Sequence, residues 1–501
     1  MYRRIRIGST VSWLSTLLVI VGFRNVACVT AEESATIPVQ EMIAKSLAEN
    51  DQTSSFRFDP SVFRDDTRPL PIGVFDSGIG GLTVLEAILS LDAFNNDSLS
   101  PGPDGRRDFE NEKFVYLGDQ ANMPYGNYAA VGKEAFLREL IVKDAVFLLG
   151  QRYWPNATSP KPVFDKPPVK AIVIACNTAT AYGLEDLRTA IKVWNIPIPV
   201  IGVVEAGARG VAEGIASTDI KRGVAVLATV GTCSSLAYPK AIVASVGLAG
   251  KRVPEIVQQG SVGLAGAIEG DSAFIASVTN QAAVDRYQGP RCNNAAAPID
   301  STNAARYGFE SNGITGDPDR PESWKLNSIP NYVRYDVVSM VEKYRSSGGT
   351  TPIDTVVLGC THFPLVQKEI QDAFRELREY REEGKQPYTL LIAERISLVN
   401  PAELTAKELF RELARAKLRL GNQENRTKQK DQFFISVPDP NWPQIRLTPE
   451  GALDRDYKYG RATNKLDVED TRVVPMATRL LPESSLNLIR TRLPEVWNRL
   501  Q

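Results

Sequence analysis

The stretch VKAIVIACNTAT, residues 169–180, decides the fold, because a run of apolar and β-branched residues ends abruptly on Cys176 and then turns polar. A second stretch, IDTVVLGCTHFP at residues 353–364, repeats this pattern and ends on Cys360. A short continuous apolar run is typical of a strand that is buried on both faces of a parallel sheet. Each stretch therefore predicts a buried strand with a thiol at its carboxyl end.

The chain on either side of these stretches repeats one unit from Arg68 onward: an apolar run, a Gly-rich or polar turn, and a helical pattern. This alternation predicts an α/β fold with parallel sheets. Ligands bind at the carboxyl ends of the strands in such folds, which is where both cysteines fall. The likeness of the two cysteine stretches predicts two related halves. The predicted strands are PLPIGVF, KFVYLG, KAIVIA, IPVIGVV, GVAVLAT, DTVVLG and YTLLIA.

Composition bounds the class of protein. The chain has 501 residues, 43% of them hydrophobic, which is enough for a large core and for two to four domains. Its 58 basic and 59 acidic side chains leave a formal net charge of -1. No Lys/Arg block is dense enough to indicate a nucleic-acid partner.

The N-terminus resembles a leader. Three arginines precede an apolar core at residues 11–23, and small residues at 29–31 suit a signal peptidase. Residues 1–31 are thus predicted to be a signal peptide, and the mature protein to be exported to the periplasm. Two alternatives keep the protein at a membrane, through an uncleaved N-terminal anchor or lipidation at Cys28. A misassigned start codon would instead leave the protein cytoplasmic.

Three further segments read as additions to the α/β units. Residues 32–67 are predicted to be a linker, residues 95–112 a polar insertion, and residues 283–350 a long surface excursion with little apolar periodicity. A charged stretch near residues 420–432 separates the last clear unit from a tail at 433–501.

The thiols and the single histidine are the strongest candidates for chemistry. Thiols at strand ends are poised for catalysis, with a disulfide or inert burial as the alternatives. His362 stands two residues after Cys360, close enough to exchange a proton with it. A structural zinc site normally uses four ligands in two close pairs, and the sequence offers no second pair, so no metal is expected.

Polar residues at other strand ends extend the candidate site. Asp76 and Ser77 follow a predicted strand and precede a glycine cluster whose N–H groups could hold an anion. Thr83 stands at the last glycine position of a dinucleotide motif, so that motif fails. Further turn or donor candidates are Tyr125, Gly126, Thr229, Thr232 and Tyr238. Two thiols, a carboxylate and a histidine, without a cofactor motif, suit proton transfer on both faces of a carbon centre.

Six ordered motifs carry a family resemblance: VFDSGIGGLTVL, YLGDQANMPYG, ACNTATA, IGVVEAGA, LATVGT and LGCTHFPLV. From about Pro69 to Glu412, and more faintly through FFISVPDP in the tail, the chain resembles glutamate racemases of the cofactor-independent aspartate/glutamate racemase superfamily. The resemblance implies two pseudo-symmetric α/β domains with the active site in the cleft between them. The first domain would comprise residues 69–202 plus 388–501, and the second residues 203–387.

The resemblance also implies the roles of individual residues, without any cofactor. Cys176 and Cys360 would alternate as proton donor and acceptor at the α-carbon, assisted by Asp76 and His362. Glu269 matches the family's acidic residue. The implied substrate contacts are Asp76, Ser77, Tyr125, Gly126, Asn177, Thr178, Thr361 and His362.

The implied activity is the interconversion of L- and D-glutamate, which supplies D-glutamate for peptidoglycan and hence for cell-wall organisation and cell shape. The family is commonly dimeric, so a homodimer is expected. Glutamate-type members carry Cys-Thr-His at the second thiol, as this chain does, whereas aspartate racemases typically carry Cys-Thr-Glu. The alternatives are a racemase for aspartate or another amino acid, and an exported amino-acid-binding protein without turnover. The leader, the insertions and Asn400 in place of an aspartate depart from the family pattern.

Overall fold

The computed structural model describes residues 39–46, 51, 53–215, 221–275, 287–317, 319–420, 430–465 and 468–500. The predicted signal peptide, residues 1–31, lies outside them. Among the described residues, no helix is both long and apolar enough to span a bilayer.

Strands and helices alternate through most of the chain, as the sequence predicts. The strands are β1 Ile72–Asp76, β2 Phe114–Gly118, β3 Ala171–Ile174, β4 Val200–Gly202, β5 Gly223–Thr229, β6 Glu255–Ser261, β7 Ile314–Thr315, β8 Lys325–Leu326, β9 Ile353–Gly359, β10 Ile392–Val399, β11 Gln432–Pro438 and β12 Thr471–Pro475. The helices are α1 at residues 39–46, α2 Leu82–Ser90, α3 Gly126–Ala130, α4 Glu134–Leu149, α5 Asn177–Trp194, α6 Val203–Gly214, α7 Val230–Ser234, α8 Ala237–Leu248, α9 Leu264–Glu269, α10 Ala304–Tyr307, α11 Ile329–Ser346, α12 Gln367–Glu379, α13 Pro401–Arg415, α14 Arg455–Gly460, α15 Glu483–Arg492 and α16 Pro494–Leu500.

The first sheet has six strands in the order β12-β11-β2-β1-β3-β4. All neighbours are parallel except β12, which runs antiparallel to β11 at the edge. Every residue of β1, β2 and β3 is buried, because helices cover both faces of the sheet. Cys176 follows β3 directly, at the carboxyl edge.

The second sheet has four parallel strands in the order β10-β9-β5-β6. Cys360 follows β9 at its carboxyl edge. Two α/β units with parallel sheets, each contributing one thiol, therefore confirm the predicted fold class. The expected boundary between the domains differs from the structure: Ile392–Val399 pairs with β9 in the second sheet, so the chain returns to the first sheet later than residue 388. Within YTLLIA the strand begins only at Ile392, because residues 388–391 form a turn.

Part of the segment before the first strand belongs to the core, so the interpretation of residues 32–67 as a linker was wrong for the described residues 56–63. Phe56, Phe58 and Phe63 are each at most 6% exposed and pack in the hydrophobic core of the first domain. The ring of Phe58 meets Trp194 edge-on at 5.0 Å, and the Trp194 indole N–H donates to the Ile43 carbonyl of α1 at 3.1 Å. Burying each phenylalanine contributes roughly 1.5–3 kcal/mol, so this segment stabilises the domain.

The region predicted as a surface excursion divides into two parts. Residues 287–317 and 319–328 hold short 3-10 turns, α10 and the two-residue strands β7 and β8, and they bury Tyr307, Trp324 and Leu326 in the core of the second domain. Ile329–Ser346, in contrast, is a helix that buries Val333, Val337 and Val341 against the second sheet, so the prediction was wrong there. These valines recur every four residues, which is the spacing of one helix face.

The insertion at residues 95–112 is anchored by aromatic rings at its two ends. Phe94 stacks on Phe410 of α13 at 4.1 Å, and Phe109 meets the same ring edge-on at 6.2 Å. The polar part between them is largely exposed, as the sequence predicts.

Candidate active site

The first thiol caps a helix. Cys176 lies between β3 and α5, and its Sγ accepts the Ala179 backbone N–H at 3.4 Å. The thiol also faces the Ser77 hydroxyl, with 3.7 Å between Sγ and Oγ. The side chain is only 6% exposed. A strand that ends at a helix N-terminus thus holds the thiol in one orientation at the carboxyl edge of the sheet.

A buried carboxyl group stands beside this thiol. Asp76 ends β1, and its Oδ2 accepts the Gly81 backbone N–H at 2.7 Å. Its Oδ1 is buried without a hydrogen-bond partner among the described residues. A Cβ on Gly81 would stand 2.4 Å from the Asp76 Cβ, so only glycine fits there. Burial raises the pKa of Asp76, while His362 and the Gly81 N–H oppose this shift.

The environment of the first thiol favours its protonated form. Burial raises the pKa of Cys176, and the Asp76 carboxylate adds to this shift because a thiolate beside it would be repelled. Cys176 therefore holds its proton at neutral pH. A group in that state is a proton donor.

The second thiol has a different neighbour. The Sγ of Cys360 lies 3.7 Å from Nδ1 of His362, and Nε2 of the same ring lies 2.7 Å from Oε1 of Glu269. All three side chains are at most 8% exposed. Burial alone would lower the pKa of His362, but hydrogen bonds to Cys360 and Glu269 together raise it well above its ordinary value. The imidazole is thus held charged between a thiol and a carboxylate.

The two halves of the site touch through the glycine cluster. A Cβ on Gly80 would stand 2.3 Å from Cε1 of His362, so the absence of a side chain lets the two domains approach. The Thr83 hydroxyl donates to the Thr361 carbonyl at 2.8 Å, which also joins the domains. The predicted anion-binding cluster therefore lies at the domain contact, beside both Asp76 and His362.

Hydroxyl and amide groups line the same interface. The hydroxyls of Thr178, Thr229 and Thr232 form a triangle with oxygen–oxygen distances of 3.0–3.1 Å. The Tyr238 hydroxyl, on α8 of the second domain, donates to Oδ1 of Asn177 at 2.6 Å. Because Oδ1 of Asn177 accepts this hydrogen bond, the NH₂ group of Asn177 remains the donor of that side chain. Gly126 packs on Thr229, whose Oγ1 would be 3.0 Å from an added Cβ.

Tyr125 differs from the sequence-based expectation. Its hydroxyl donates to Asp119 at 2.5 Å and contacts Asp144 at 2.8 Å, and the side chain is 1% exposed. The hydroxyl is therefore engaged within the first domain and does not serve as a donor in the cleft. Asp119 and Asp144 were not among the predicted residues. Asp119 stands in the motif YLGDQANMPYG, but only the structure shows its hydrogen bond to the tyrosine.

No group of three or more potential metal ligands occurs among the residues that the structure describes. At the second thiol, both nitrogens of the sole histidine already have protein partners, Cys360 and Glu269. The titratable side chains that the structure brings together at the site are two thiols, two carboxyl groups and an imidazole.

The chain is similar in sequence to known proteins. Residues 162–289, which include Cys176 and Glu269, match the family described as Asp/Glu/Hydantoin racemase. The chain is 34% identical over 205 residues to the glutamate racemase of Limosilactobacillus fermentum. The aligned region covers 40% of this chain and 59% of that protein. It is 27% identical over 338 residues to the glutamate racemase of Levilactobacillus brevis, covering 68% and 76% respectively.

A solved structure is also similar. Glutamate racemase isoform RacE1 from Bacillus anthracis aligns over 73% of this chain and 88% of its own, with 24% sequence identity and a TM-score of 0.42. The chain spans about three fifths of the length of the Limosilactobacillus relative that it matches. The sequence similarity is thus to glutamate racemases, and the segment matched by the family is residues 162–289.

Proposed function

We propose that the protein is a cofactor-independent racemase that interconverts L- and D-glutamate. The observation that carries the proposal is the placement of two buried thiols at the carboxyl ends of strands from separate sheets, each beside its own acid/base group. Racemisation needs a proton removed from one face of the α-carbon and another delivered to the opposite face. One thiol from each domain meets this need.

The two thiols would play different parts in a turnover that starts from one enantiomer. Cys176 holds its proton because burial and Asp76 raise its pKa. Cys360, as a thiolate stabilised by the charged imidazole of His362, would remove the α-proton of the enantiomer whose C–H bond faces it. Cys176 would then deliver its proton to the other face of the planar carbanion. The reverse reaction exchanges these roles, so Asp76 would assist the thiol that must lose its proton.

Binding of the substrate would use groups that line the domain contact. The Asn177 NH₂ group, oriented by Tyr238, can donate to a substrate carboxylate, and so can the hydroxyls of Thr178 and Thr361. The Asp76 Oδ1, which has no partner among the described residues, is an acceptor suited to an ammonium group. Because both thiols are 6% exposed, the domains must part for the amino acid to enter.

The decisive test is proton exchange at the α-carbon. The reduced, leader-free protein is mixed with L-glutamate in deuterated water, and loss of optical rotation and deuterium incorporation are followed together. Both should proceed, and D-glutamate should form. Absence of exchange with reduced thiols would refute the racemase proposal, and saturable binding without exchange would instead identify an amino-acid-binding protein.

Substrate identity is tested on the same preparation. Turnover is compared across glutamate, aspartate and other L-amino acids, and glutamate should have the highest kcat/KM. A higher value for aspartate would refute the assignment to glutamate while leaving the two-thiol mechanism intact. Cys233→Ser serves as a thiol control, since Cys233 lies on α7 and makes no contact with either catalytic cysteine in the described contacts.

The wider role follows from the activity. We propose that the protein supplies or interconverts D-glutamate linked to peptidoglycan, that the leader directs it to the periplasm, and that it acts as a homodimer. Fractionation of expressing cells tests the compartment, and light scattering of the purified protein tests the dimer. A cytoplasmic protein of intact N-terminal sequence would refute the export proposal.

A further inference from the structure

A cavity lies on the first domain, away from the two cysteines of the candidate active site. Its volume is about 410 Å³, within the range of roughly 300–1,000 Å³ typical of small-molecule sites. It is bounded by α4, by the turn after β2, and by the chain around α14 and β12. Neither Cys176 nor Cys360, nor Asp76 or His362, lines it.

The walls of this cavity come partly from segments outside the racemase resemblance. Residues 55–57 and residues 442–473 contribute to the lining, whereas the family motifs run from about residue 69 to residue 412. Trp442 and Tyr457 belong to the second of these segments. The cavity is thus formed jointly by residues 119–154, inside the resemblance, and by segments outside it.

The carboxylates that face the cavity are already paired. Glu469 forms an ion pair with Arg152 at 2.8 Å, and Asp470 with Arg461 at 3.3 Å. Asp119 accepts both the Tyr125 hydroxyl and the Asn122 amide. Asp144 also accepts a hydrogen bond from the Tyr125 hydroxyl. Burial, and to a lesser extent the charge of Asp119, raises the pKa of Asp144 well above its ordinary value, which favours its neutral form.

Three cations that line the cavity, Arg57, Lys143 and Lys465, have no such pairing among the described residues. Lys465 is exposed, whereas Lys143 and Arg57 are partly buried. Lys143, on α4, contacts the face of Phe56 with 5.6 Å between Nζ and the ring centroid, and it forms no ion pair within the described part of the chain. Arg57 likewise has no ion pair with any described carboxylate. Burial lowers the pKa of Lys143, while Asp470, Glu139 and Asp119 oppose this from a distance. A partly buried ammonium group without a close counter-ion carries a desolvation cost, and an anion beside it would relieve that cost.

Apolar side chains also line the cavity, several of them on the same helix as Lys143. Leu140, Val146, Phe147 and Tyr153 contribute to this lining, together with the ring of Trp442. A ligand that fills the volume therefore needs an apolar, preferably planar, body as well as a negative group. A free phosphate would satisfy only the charge and would leave the aromatic wall uncovered.

We propose that this cavity is a binding site for a small organic anion that carries a planar apolar group, with Lys143 and Arg57 holding the anion and the aromatic wall holding the ring. The site is independent of the two-thiol chemistry, so its failure and that of the proposed function are distinguishable.

Calorimetry with two matched probes tests the site. Indole-3-propionate and tryptamine share one ring and carry opposite charges. The full-length Cys176→Ser variant, in which turnover is blocked, should bind indole-3-propionate with one site and at least about tenfold more tightly than tryptamine. Equal affinity for the two probes, or no binding of either, would overturn the proposal.

Substitutions assign the binding to this cavity. Lys143→Gln should weaken indole-3-propionate binding about tenfold and abolish the preference over tryptamine, while Lys143→Arg should retain it. Trp442→Ala should weaken both probes. Lys45→Gln is the matched control, because Lys45 Nζ also lies 5.6 Å from the Phe56 ring but does not line the cavity. Loss of binding in Lys45→Gln together with unchanged binding in Lys143→Gln would contradict the site.

Discussion

The two halves of the candidate site present the same thiol to opposite chemical neighbours. Cys176 lies beside the buried carboxyl group of Asp76, which raises the pKa of the thiol. Cys360 lies beside the imidazole of His362, which Glu269 holds in its charged form. The two thiols of the site thus have different neighbours, a carboxyl group in one domain and an imidazole in the other. The difference indicates that Cys176 rests in its protonated form, whereas a charged imidazole lies beside Cys360 when that thiol loses its proton.

The largest expected effect comes from replacing Cys176 and Cys360 one at a time, which tests whether both thiols are needed. Cys176→Ser and Cys360→Ser should each lower the rate of glutamate racemisation by about 10³-fold or more, because a serine hydroxyl is a far weaker acid than a thiol. The measurement is polarimetry with both enantiomers as substrate. Cys233→Ser should retain activity. If one of the two variants kept the wild-type rate, a single base would suffice, and the assignment of different roles to the two thiols would be refuted.

A smaller effect is expected from the carboxyl group beside the first thiol. Asp76→Asn removes the charge that adds to the raised pKa of Cys176, so that pKa should fall, and the activity should drop by about 10²-fold. The pH profile of kcat/KM reports the shift, which should be toward lower pH for the limb governed by Cys176.

Asp336→Asn is the matched control for this change. Asp336 is also a buried carboxyl group, hydrogen-bonded to the Ser261 hydroxyl at 2.5 Å, and burial raises its pKa to about 7, but it lies outside the cysteine site. This variant should alter the free energy of unfolding without moving the limb assigned to Cys176. An equal shift in both variants would mean that the limb reports general stability.

The imidazole of the second half depends on its carboxylate. Glu269→Gln should let the pKa of His362 fall toward its ordinary value, because burial opposes the charge and only Cys360 would still favour it. We expect about a tenfold loss of activity near neutral pH and an alkaline limb moved to lower pH. The pH dependence of kcat/KM checks this, and an unchanged alkaline limb would refute a role for the charged imidazole.

The same pair also contributes to the pH dependence of stability. A histidine whose folded pKa is raised stabilises the fold fully below its unfolded pKa of about 6.5, and this contribution is lost as the pH rises through the folded value. The difference in free energy of unfolding between wild type and Glu269→Gln should therefore be largest at pH 5–6.5. Denaturant titrations at several pH values measure it.

Sequence patterns predicted the strand ends better than the side-chain partners. The apolar runs that stop on Cys176 and Cys360 reflect burial on both sheet faces, and that local pattern is visible in the sequence. The pairing of Tyr125 with Asp119 and Asp144 depends on how α4 packs on the turn after β2, which no local pattern records. The core role of residues 56–63 was missed because three scattered phenylalanines among polar residues show neither helical nor strand period.

The smallest predicted effect concerns a contact that joins the halves. The Tyr238 hydroxyl reaches from α8 to Asn177 at 2.6 Å, and both groups are buried. Tyr238→Phe removes this bond and leaves Oδ1 of Asn177 unsatisfied, a loss of about 1 kcal/mol. The amide of Asn177 would then be free to rotate away from the substrate. We expect KM for glutamate to rise about fivefold with kcat nearly unchanged, since Asn177 does not move a proton.

Tyr332→Phe provides the comparison for this last change. Tyr332 is also a fully buried tyrosine of the second domain, and its hydroxyl donates to the Phe274 carbonyl at 2.9 Å, away from the cleft. Steady-state kinetics should show a raised KM only for Tyr238→Phe, although both variants lose a buried hydrogen bond. If both raised KM equally, the effect would come from the stability of the second domain. If Tyr238→Phe lowered kcat instead, Asn177 would have to act in the transition state, and the division between thiols that move protons and side chains that hold the substrate would need revision.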